Sequence, residues 1–334
     1  MCVVQDIVKL VENNYFLAAL ALIGAGVVAS YAYEIAILLL DTLILPGKSL
    51  KKYGAGKGAW AIVTGASDGI GKEYSLQLAK AKFNVMILAR TQSKLDELAE
   101  TIKSKYGVQV KVIPFDFAKA TEENFTELKG IIDTLDIGIL VNNVGLSHEF
   151  PTPFHEEKMQ RIDDIIKLNI TTALKLTHMV AEHMVKQRRG LIINQGSISG
   201  VTPSPYLSVY SGSKAFLCTW SQALGAELSS HGVDVEHVNT YYVVSSMSKI
   251  RRPNFMTPLP APYVRSVLGK LGLRGGARTP YSSSPYFSHA LVNYVLERVF
   301  WKSFWLNYNK KFLYSIRKRA LRKQERDAAK GKSE

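Results

Sequence analysis

The run Trp60-Ala-Ile-Val-Thr64 passes without a break into Gly65-Ala-Ser-Asp-Gly-Ile-Gly71, and a helical pattern follows at once. A short apolar strand, a glycine turn and a helix, in that order, restrict the fold more than any other stretch of the chain. Gly65 permits the tight turn, Gly69 lets the backbone come close to a ligand, and Gly71 allows the helix to pack against the strand. The N-terminus of that helix then aims its N–H groups at an anion such as a pyrophosphate. Ser67 and Ile70 lie between the glycines and count with them as contact candidates. A glycine turn of purely structural use is the alternative. The strand before it and the helix after it favour a nucleotide.

The same alternation continues downstream. Strands are predicted at 60–64, 85–89, 110–115, 137–141, 191–194 and 233–238. Helices are predicted at 70–82, 93–106, 122–135 and 210–230, with one long helix ending near Arg189. Strands alternating with helices imply a parallel sheet covered on both faces. With right-handed crossovers this is an α/β, Rossmann-type doubly wound fold. The second strand ends at Ala89-Arg90-Thr91. An NAD site would usually place an acid there for the ribose hydroxyls. Arg90 instead offers a guanidinium to a 2′-phosphate, which favours NADP. Asp116, after the third strand, could meet the adenine. Asn143 and Gly145, in Asn142-Asn-Val-Gly145, could lie against the cofactor. Either segment could also be ordinary turn chemistry.

Tyr210 and Lys214 stand four residues apart in Tyr-Ser-Gly-Ser-Lys, so they share a helix face. Ser197 lies upstream in Gly-Ser-Ile-Ser-Gly. A phenol near a cation can serve as a proton donor. Together these segments resemble the short-chain dehydrogenase/reductase family over roughly 60–247. The resemblance rests on the glycines at 65, 69 and 71, on Asn142 to Gly145, and on Asn169, Ser197, Tyr210 and Lys214. It implies that Tyr210 is the general acid and that Ser197 hydrogen-bonds the substrate carbonyl. Lys214 would lower the tyrosine pKa and hold the nicotinamide ribose, and Asn169 would anchor a proton-relaying water. A carbonyl accepting hydride develops negative charge on oxygen, which two hydroxyls stabilise. The family usually carries a Pro-Gly pair after the sixth strand. Here Thr240-Tyr241-Tyr242-Val243 stands instead, which bears on Val243 and Ser245 as nicotinamide contacts.

The ends of the chain are not typical of a soluble enzyme. Phe16 to Tyr33 contains no charge, and Ile35 to Leu45 extends it past Glu34. That length suits a tilted membrane span; a signal peptide and a buried helix are the rivals. Lys48, Lys51, Lys52 and Lys57 follow the span, so the positive-inside rule places the remainder in the cytosol. Of the formal net charge of +14, half falls after residue 309, where ten Lys or Arg meet three acids. That tail could meet anionic lipid, and no nucleic-acid module accompanies it. Cys2 and Cys218 are too few for a disulfide framework.

Five segments are expected: an anchor (1–45), a Gly/Lys-rich linker (46–59), the NADP-binding catalytic domain (60–247), a proline-rich substrate loop or lid (248–285), and an apolar then basic membrane-associated helical extension (286–334). The anchor, the segment Met247-Ser-Lys-Ile-Arg-Arg-Pro253 and the basic tail resemble very-long-chain 3-oxoacyl-CoA reductases of the fungal type. That resemblance implies NADPH-dependent reduction of 3-oxoacyl-CoA in fatty-acid elongation at the endoplasmic reticulum membrane. Condensing enzyme, dehydratase and enoyl reductase would be its partners. The final Lys-Gly-Lys-Ser-Glu, with Lys330 and Lys332, resembles a dilysine retrieval signal. A membrane 17β-hydroxysteroid dehydrogenase or 3-ketosphinganine reductase would use the same chemistry. A non-catalytic membrane scaffold on this fold is the alternative outside enzymes.

Overall fold

The computed structural model describes residues 2–12, 14–299 and 301–330. Two helices, α1 (Cys2–Glu12) and α2 (Asn14–Leu39), lead through a π-helical turn at Leu40–Ile44 into the catalytic body. There, β1 (Trp60–Thr64), α3 (Gly69–Lys80), β2 (Asn84–Ala89), α4 (Gln92–Tyr106), β3 (Val110–Pro114), α5 (Glu122–Ile132) and β4 (Ile137–Asn142) follow in turn. The chain continues through α6 (Met159–Ile166), α7 (Thr172–Gln187), β5 (Gly190–Gln195), the single turn α8 (Ile198–Val201), α9 (Ser208–Ser229) and β6 (Val233–Val238). It ends with α10 (Pro260–Gly269), β7 (Ser282–Ser283), α11 (Phe287–Arg298) and α12 (Lys302–Lys330).

The seven strands form one parallel sheet in the order β3-β2-β1-β4-β5-β6-β7. Alternate residues enter two separate cores. Val63, Val85, Ile87, Val141 and Ile193 pack with Tyr74 and Leu78 of α3 and Leu95 of α4. Ile62, Met86, Leu88, Leu140 and Ile192 pack with Phe125 of α5 and Leu176 and Val180 of α7. Near-continuous apolar strands, buried on both faces, are what a doubly wound sheet requires. The strand order reverses at β1/β4, where ligands of such sheets bind beyond the strand C-termini.

Three expectations change. Residues 46–59 are no linker, because Tyr53 is fully buried. Its hydroxyl donates to Asp234 at 2.7 Å, and Lys48 and Lys52 pair with the same carboxylate at 2.8 and 2.6 Å. The glycines of this segment make left-handed turns, at Gly54, Gly56 and Gly58, rather than loose chain. The proline-rich 248–285 stretch contains α10, which starts on Pro260 and buries Tyr263, Val264 and Val267 in the sheet core. Proline fits a first helical turn, so a proline-rich stretch expected to be a loop or lid can still hold a helix. The long helix before Arg189 is two helices, α6 and α7, joined by a π-helical turn at Lys167–Thr171. β7 was too short to show a periodicity.

The helix spanning Tyr15–Ile44 is long and apolar enough to cross a membrane. At 30 residues it reaches about 45 Å, longer than the roughly 30 Å hydrocarbon layer. Its upper part is bare: Leu22, Ile23 and Val28 are 65–74% exposed. Its lower end is docked. Leu38 packs with Ala290 and Tyr294 of α11, and Asp41 accepts the Gly275 N–H at 3.1 Å. Glu34, within the run, forms an ion pair with Arg298 of α11, whose Nε lies 2.7 Å from Oε2. The lower end of this helix is thus packed on, and bonded to, α11 and the segment around Gly275.

Candidate active site

The glycine loop is locked by side chains from the neighbouring strand. Thr64, at the end of β1, donates its hydroxyl to the Val141 carbonyl (3.1 Å) and accepts the N–H groups of Asn143 and Val144 (2.9 and 3.0 Å). Asn143 donates Nδ2 to the Thr64 carbonyl at 2.9 Å. Gly65 and Gly69 have φ of 64° and 54°, in the left-handed region. A Cβ on Gly71 would lie 2.2 Å from the Gly65 carbonyl oxygen, so no larger residue fits there. Ser67 and Ile70 are half-buried between them. The loop opens on the N-terminus of α3, a cradle that suits a pyrophosphate.

Asn143 therefore fastens the loop with its side chain. Its role is positioning, and Thr64, which carried no functional reading in the sequence, is the hub. Arg90 stands exposed directly after β2. Asp116 spends one carboxylate oxygen on the Ala118 N–H (3.1 Å), an Asx turn, and lines a cavity of about 270 Å³ against α5.

Ser197, Tyr210, Lys214, Asn169 and Gly145 converge at the C-terminal ends of β4 and β5. Ser197 caps α8, its Oγ accepting the Ser199 N–H at 3.2 Å, and it hydrogen-bonds the Tyr210 hydroxyl. Tyr210 and Lys214 share one face of α9, with Nζ 5.8 Å from the phenol ring centroid. Lys214 is 5% exposed and donates to the Gln195 carbonyl at 2.8 Å. A Cβ on Gly145 would lie 3.1 Å from Asn169 Oδ1 and 3.8 Å from Lys214 Nζ. Glycine at 145 thus leaves the floor of the site open.

Burial lowers the Lys214 pKa to about 8. Burial also pushes the Tyr210 phenol up, and the Ser197 hydrogen bond offsets only part of that. The expected lowering by Lys214 is not among the causes that shift the phenol, which are burial and the Ser197 hydrogen bond. The ammonium is directed to a backbone carbonyl and is itself short of solvation.

Asn169 sits in the π-helical turn between α6 and α7, buried to 1% exposure. A π turn inserts one residue into the helical ladder and re-aims a side chain, a feature frequent at functional sites. Asn169 Oδ1 accepts the Leu146 N–H (2.7 Å), and Nδ2 donates to the Leu146 carbonyl (3.0 Å) and Ser213 Oγ (2.8 Å). Ser213 in turn donates to the Tyr210 carbonyl at 2.7 Å. Both amide hydrogens are spent, which leaves one Oδ1 lone pair for a water. Ser213 belongs to the Tyr-Ser-Gly-Ser-Lys motif itself, and that was the available signal for it.

Where the family usually has Pro-Gly, Thr240 joins a buried network. Its hydroxyl lies 2.5 Å from that of Tyr263, which accepts from Gln195 Nε2 at 3.1 Å. Val243 points into the core at 3% exposure, so only its backbone can face a ligand. Ser245 lies beside Gly69, its Cβ 3.2 Å from where a Cβ on that glycine would sit. Ser246 Oγ donates to Asp68 Oδ2 at 2.5 Å, closing the segment after β6 onto the glycine loop.

Over this site lies α12. Asn309 donates to Ser204 Oγ at 3.1 Å, and the rings of Tyr314 and Tyr206 are 6.0 Å apart. Arg317 donates to the Pro151 carbonyl at 3.1 Å, pairs with Glu156, and covers the Phe150 ring at 5.7 Å. The segments it touches follow β4 and β5, so α12 is a strap across the mouth above Ser197 and Tyr210. Its inner stripe, Trp305, Asn309, Leu313, Arg317 and Leu321, has the spacing of one helix face.

A family model described as short chain dehydrogenase matches residues 59–254. The very-long-chain 3-oxoacyl-CoA reductase of Coprinopsis cinerea is 47% identical over 330 residues, covering 97% of each chain. That of Aspergillus oryzae is 48% identical over 322 residues, covering 95% of this chain and 92% of the relative. Among solved structures, a short-chain dehydrogenase from Sphingobium yanoikuyae in complex with NADPH is 28% identical, with a TM-score of 0.58 over 63% of this chain and 82% of its own. A 7beta-hydroxysteroid dehydrogenase shares the fold at 23% identity, with a TM-score of 0.67 over 75% of this chain and 96% of its own. With its parallel sheet, glycine loop and Ser197–Tyr210–Lys214 cluster, the chain belongs to the short-chain dehydrogenase family of oxidoreductases.

Proposed function

We propose that this protein reduces very-long-chain 3-oxoacyl-CoA to 3-hydroxyacyl-CoA with NADPH, at the cytosolic face of the endoplasmic reticulum membrane, as the first reduction of fatty-acid elongation. The observation that carries this reading is the likeness to reductases of that name along 97% of both chains. It covers the anchor and the strap as well as the catalytic core. NADPH is favoured by Arg90 after β2 and by relatives of 28% and 29% identity bound to NADPH and NADP. The glycine cradle fits that cofactor, which when bound supplies the hydride.

The remaining chemistry belongs to the chain. Ser197 is within hydrogen-bonding reach of the Tyr210 hydroxyl, so both hydroxyls can meet the keto oxygen of the substrate. Tyr210 gives its phenolic proton to that oxygen as hydride reaches the carbon, and Ser197 stabilises the developing charge with a hydrogen bond. Burial keeps the phenol protonated at neutral pH, the state a general acid needs. Lys214 supplies a cation below about pH 8 and a ribose contact. Asn169, through Ser213, fixes the turn of α9 that carries Tyr210.

The apolar helix Tyr15–Ile44 and the lysines after it support this location. Lys332 of the dilysine-like tail lies outside the described residues. Condensing enzyme, dehydratase and enoyl reductase are the partners this place in elongation requires. The test is NADPH oxidation by membranes containing the full chain, across a series of 3-oxoacyl-CoA lengths. Activity that rises with chain length supports the reading. Activity on a 3-ketosphinganine or ketosteroid with none on any acyl-CoA overturns it.

A further inference from the structure

Beside the glycine loop, a cavity of about 1100 Å³ opens between α3, the segment after β6 and the far end of α12. Lys72, Lys249, Arg251 and Lys323 line it, with Asp68 and Glu73 as its acids. Both acids are occupied: Asp68 accepts from Ser246, and Glu73 accepts from Gln77 Nε2 at 2.6 Å. Those neutral donors leave both carboxylates charged, so four cations from three separate segments face one space against two acids, a net excess of positive charge. Lys249 is held there deliberately, with φ at 57°, a costly backbone state for a non-glycine residue. Its Nζ is braced on the Glu149 carbonyl at 2.8 Å.

The strap that supplies Lys323 is polarised along its length. Its first turns follow α11, which is bonded to the anchor through Arg298 and Glu34. Phe304, Tyr308 and Phe312 there are 39–58% exposed and make that half of the helix apolar. Its second half holds Arg317, Lys318, Arg319, Arg322 and Lys323. Tyr210 lies beneath the middle. From Tyr308 to Lys323 the helix rises about 22 Å.

We infer that this cavity holds the phosphorylated nucleotide of a coenzyme A thioester. The acyl chain then runs the other way under α12, toward the anchor and the bilayer. This rests on the reductase reading above, and it assigns the direction of the substrate and the cations that select it. The shared chemistry is phosphate recognition by Lys and Arg. NADPH is the competing source of phosphate. Its own phosphates would take the α3 N-terminus and Arg90; Gly69 of that N-terminus also lines the cavity, so the two sites adjoin and the test must separate them.

The test compares two substrates that differ only in the nucleotide: a 3-oxoacyl-CoA and the pantetheine thioester of the same acid. Full-length protein in membranes is assayed as wild type, Arg251→Glu and Lys323→Glu. The expected result is that wild type prefers the CoA ester and that each variant reduces this preference about tenfold through KM. A rise in the KM for NADPH in place of that loss means the cavity serves the cofactor, and overturns the inference. So does an equal loss for both thioesters. Coenzyme A binding is titrated in parallel without turnover, and weaker binding by both variants is expected. Wild type that reduces neither thioester removes the proposed reaction, whereas coenzyme A binding equal in all three proteins removes this inference.

Discussion

The two ends of the active-site cleft are built from different materials. The cofactor end is made of backbone and short side chains at the ends of two adjacent strands: the 65–71 turn and Thr64 from β1, and Asn143 after β4, bonded to one another. The substrate end is made of long side chains brought from far along the chain. Arg317 reaches Pro151 and Glu156, Asn309 reaches Ser204, and Lys249 reaches Glu149. The first arrangement leaves no room for change, since even a methyl on Gly71 meets the Gly65 carbonyl oxygen at 2.2 Å. The second tolerates substitution, because each contact is a partly exposed polar one of modest energy. A fold can thus keep its hydride chemistry fixed while its ketone is chosen by appended segments.

That division is broken most directly at Tyr210. Tyr210→Phe keeps the ring and removes the proton, so turnover should fall by roughly two to four orders of magnitude. Cofactor titration of the same protein should show NADPH binding retained. Turnover within tenfold of wild type would take Tyr210 out of the acid role. Arg90→Ala is the next smaller effect and belongs to the cofactor end alone. A charge-assisted contact to a 2′-phosphate is worth about 1.5–3 kcal/mol, so the Kd for NADPH should rise roughly 10- to 100-fold. The Kd for NADH should not follow it, and the KM for the thioester should stay within twofold. Equal losses for both cofactors would mean that Arg90 serves the loop and not the phosphate.

The same division governs what could be read from sequence. The glycine turn, six of the strands and the Ser197, Tyr210 and Lys214 cluster follow local periodicity or spacing, and all were legible. What escaped depends on contacts distant in sequence. Residues 46–59 look solvated until Tyr53 is placed in the core and Asp234, some 180 positions later, collects Lys48 and Lys52. The π turn under Asn169 interrupts a helical pattern by one residue, which periodicity cannot register. The second half of α12 reads as a charged tail because only one face, from Trp305 to Leu321, is covered. Glu34 interrupts the apolar run, and its partner Arg298 is 264 residues away.

The smallest effect lies where the late segments are tied to the sheet. Glu236 of β6 accepts the Gly272 N–H at 2.9 Å and the Ser283 hydroxyl at 2.6 Å. Burial, against the pull of those two bonds, raises its pKa from 4.5 to about 7. A raised carboxyl pKa contributes stability that is complete below about 4.5 and is lost as pH rises through about 7. The full span corresponds to roughly 3 kcal/mol at 1.36 kcal/mol per pKa unit. Glu236→Gln keeps an acceptor for Gly272 and can donate to Ser283, but it does not ionise. Its melting temperature relative to wild type should therefore rise by a few degrees between pH 5 and pH 8. His237 and His289, lowered by burial to about 3 and about 4, slope the opposite way below 6.5, but they are common to both proteins and cancel in the difference. A difference that stays constant across that range would mean Glu236 is ionised throughout, and that β7 and the segment before it are held by charge rather than by a buried acid.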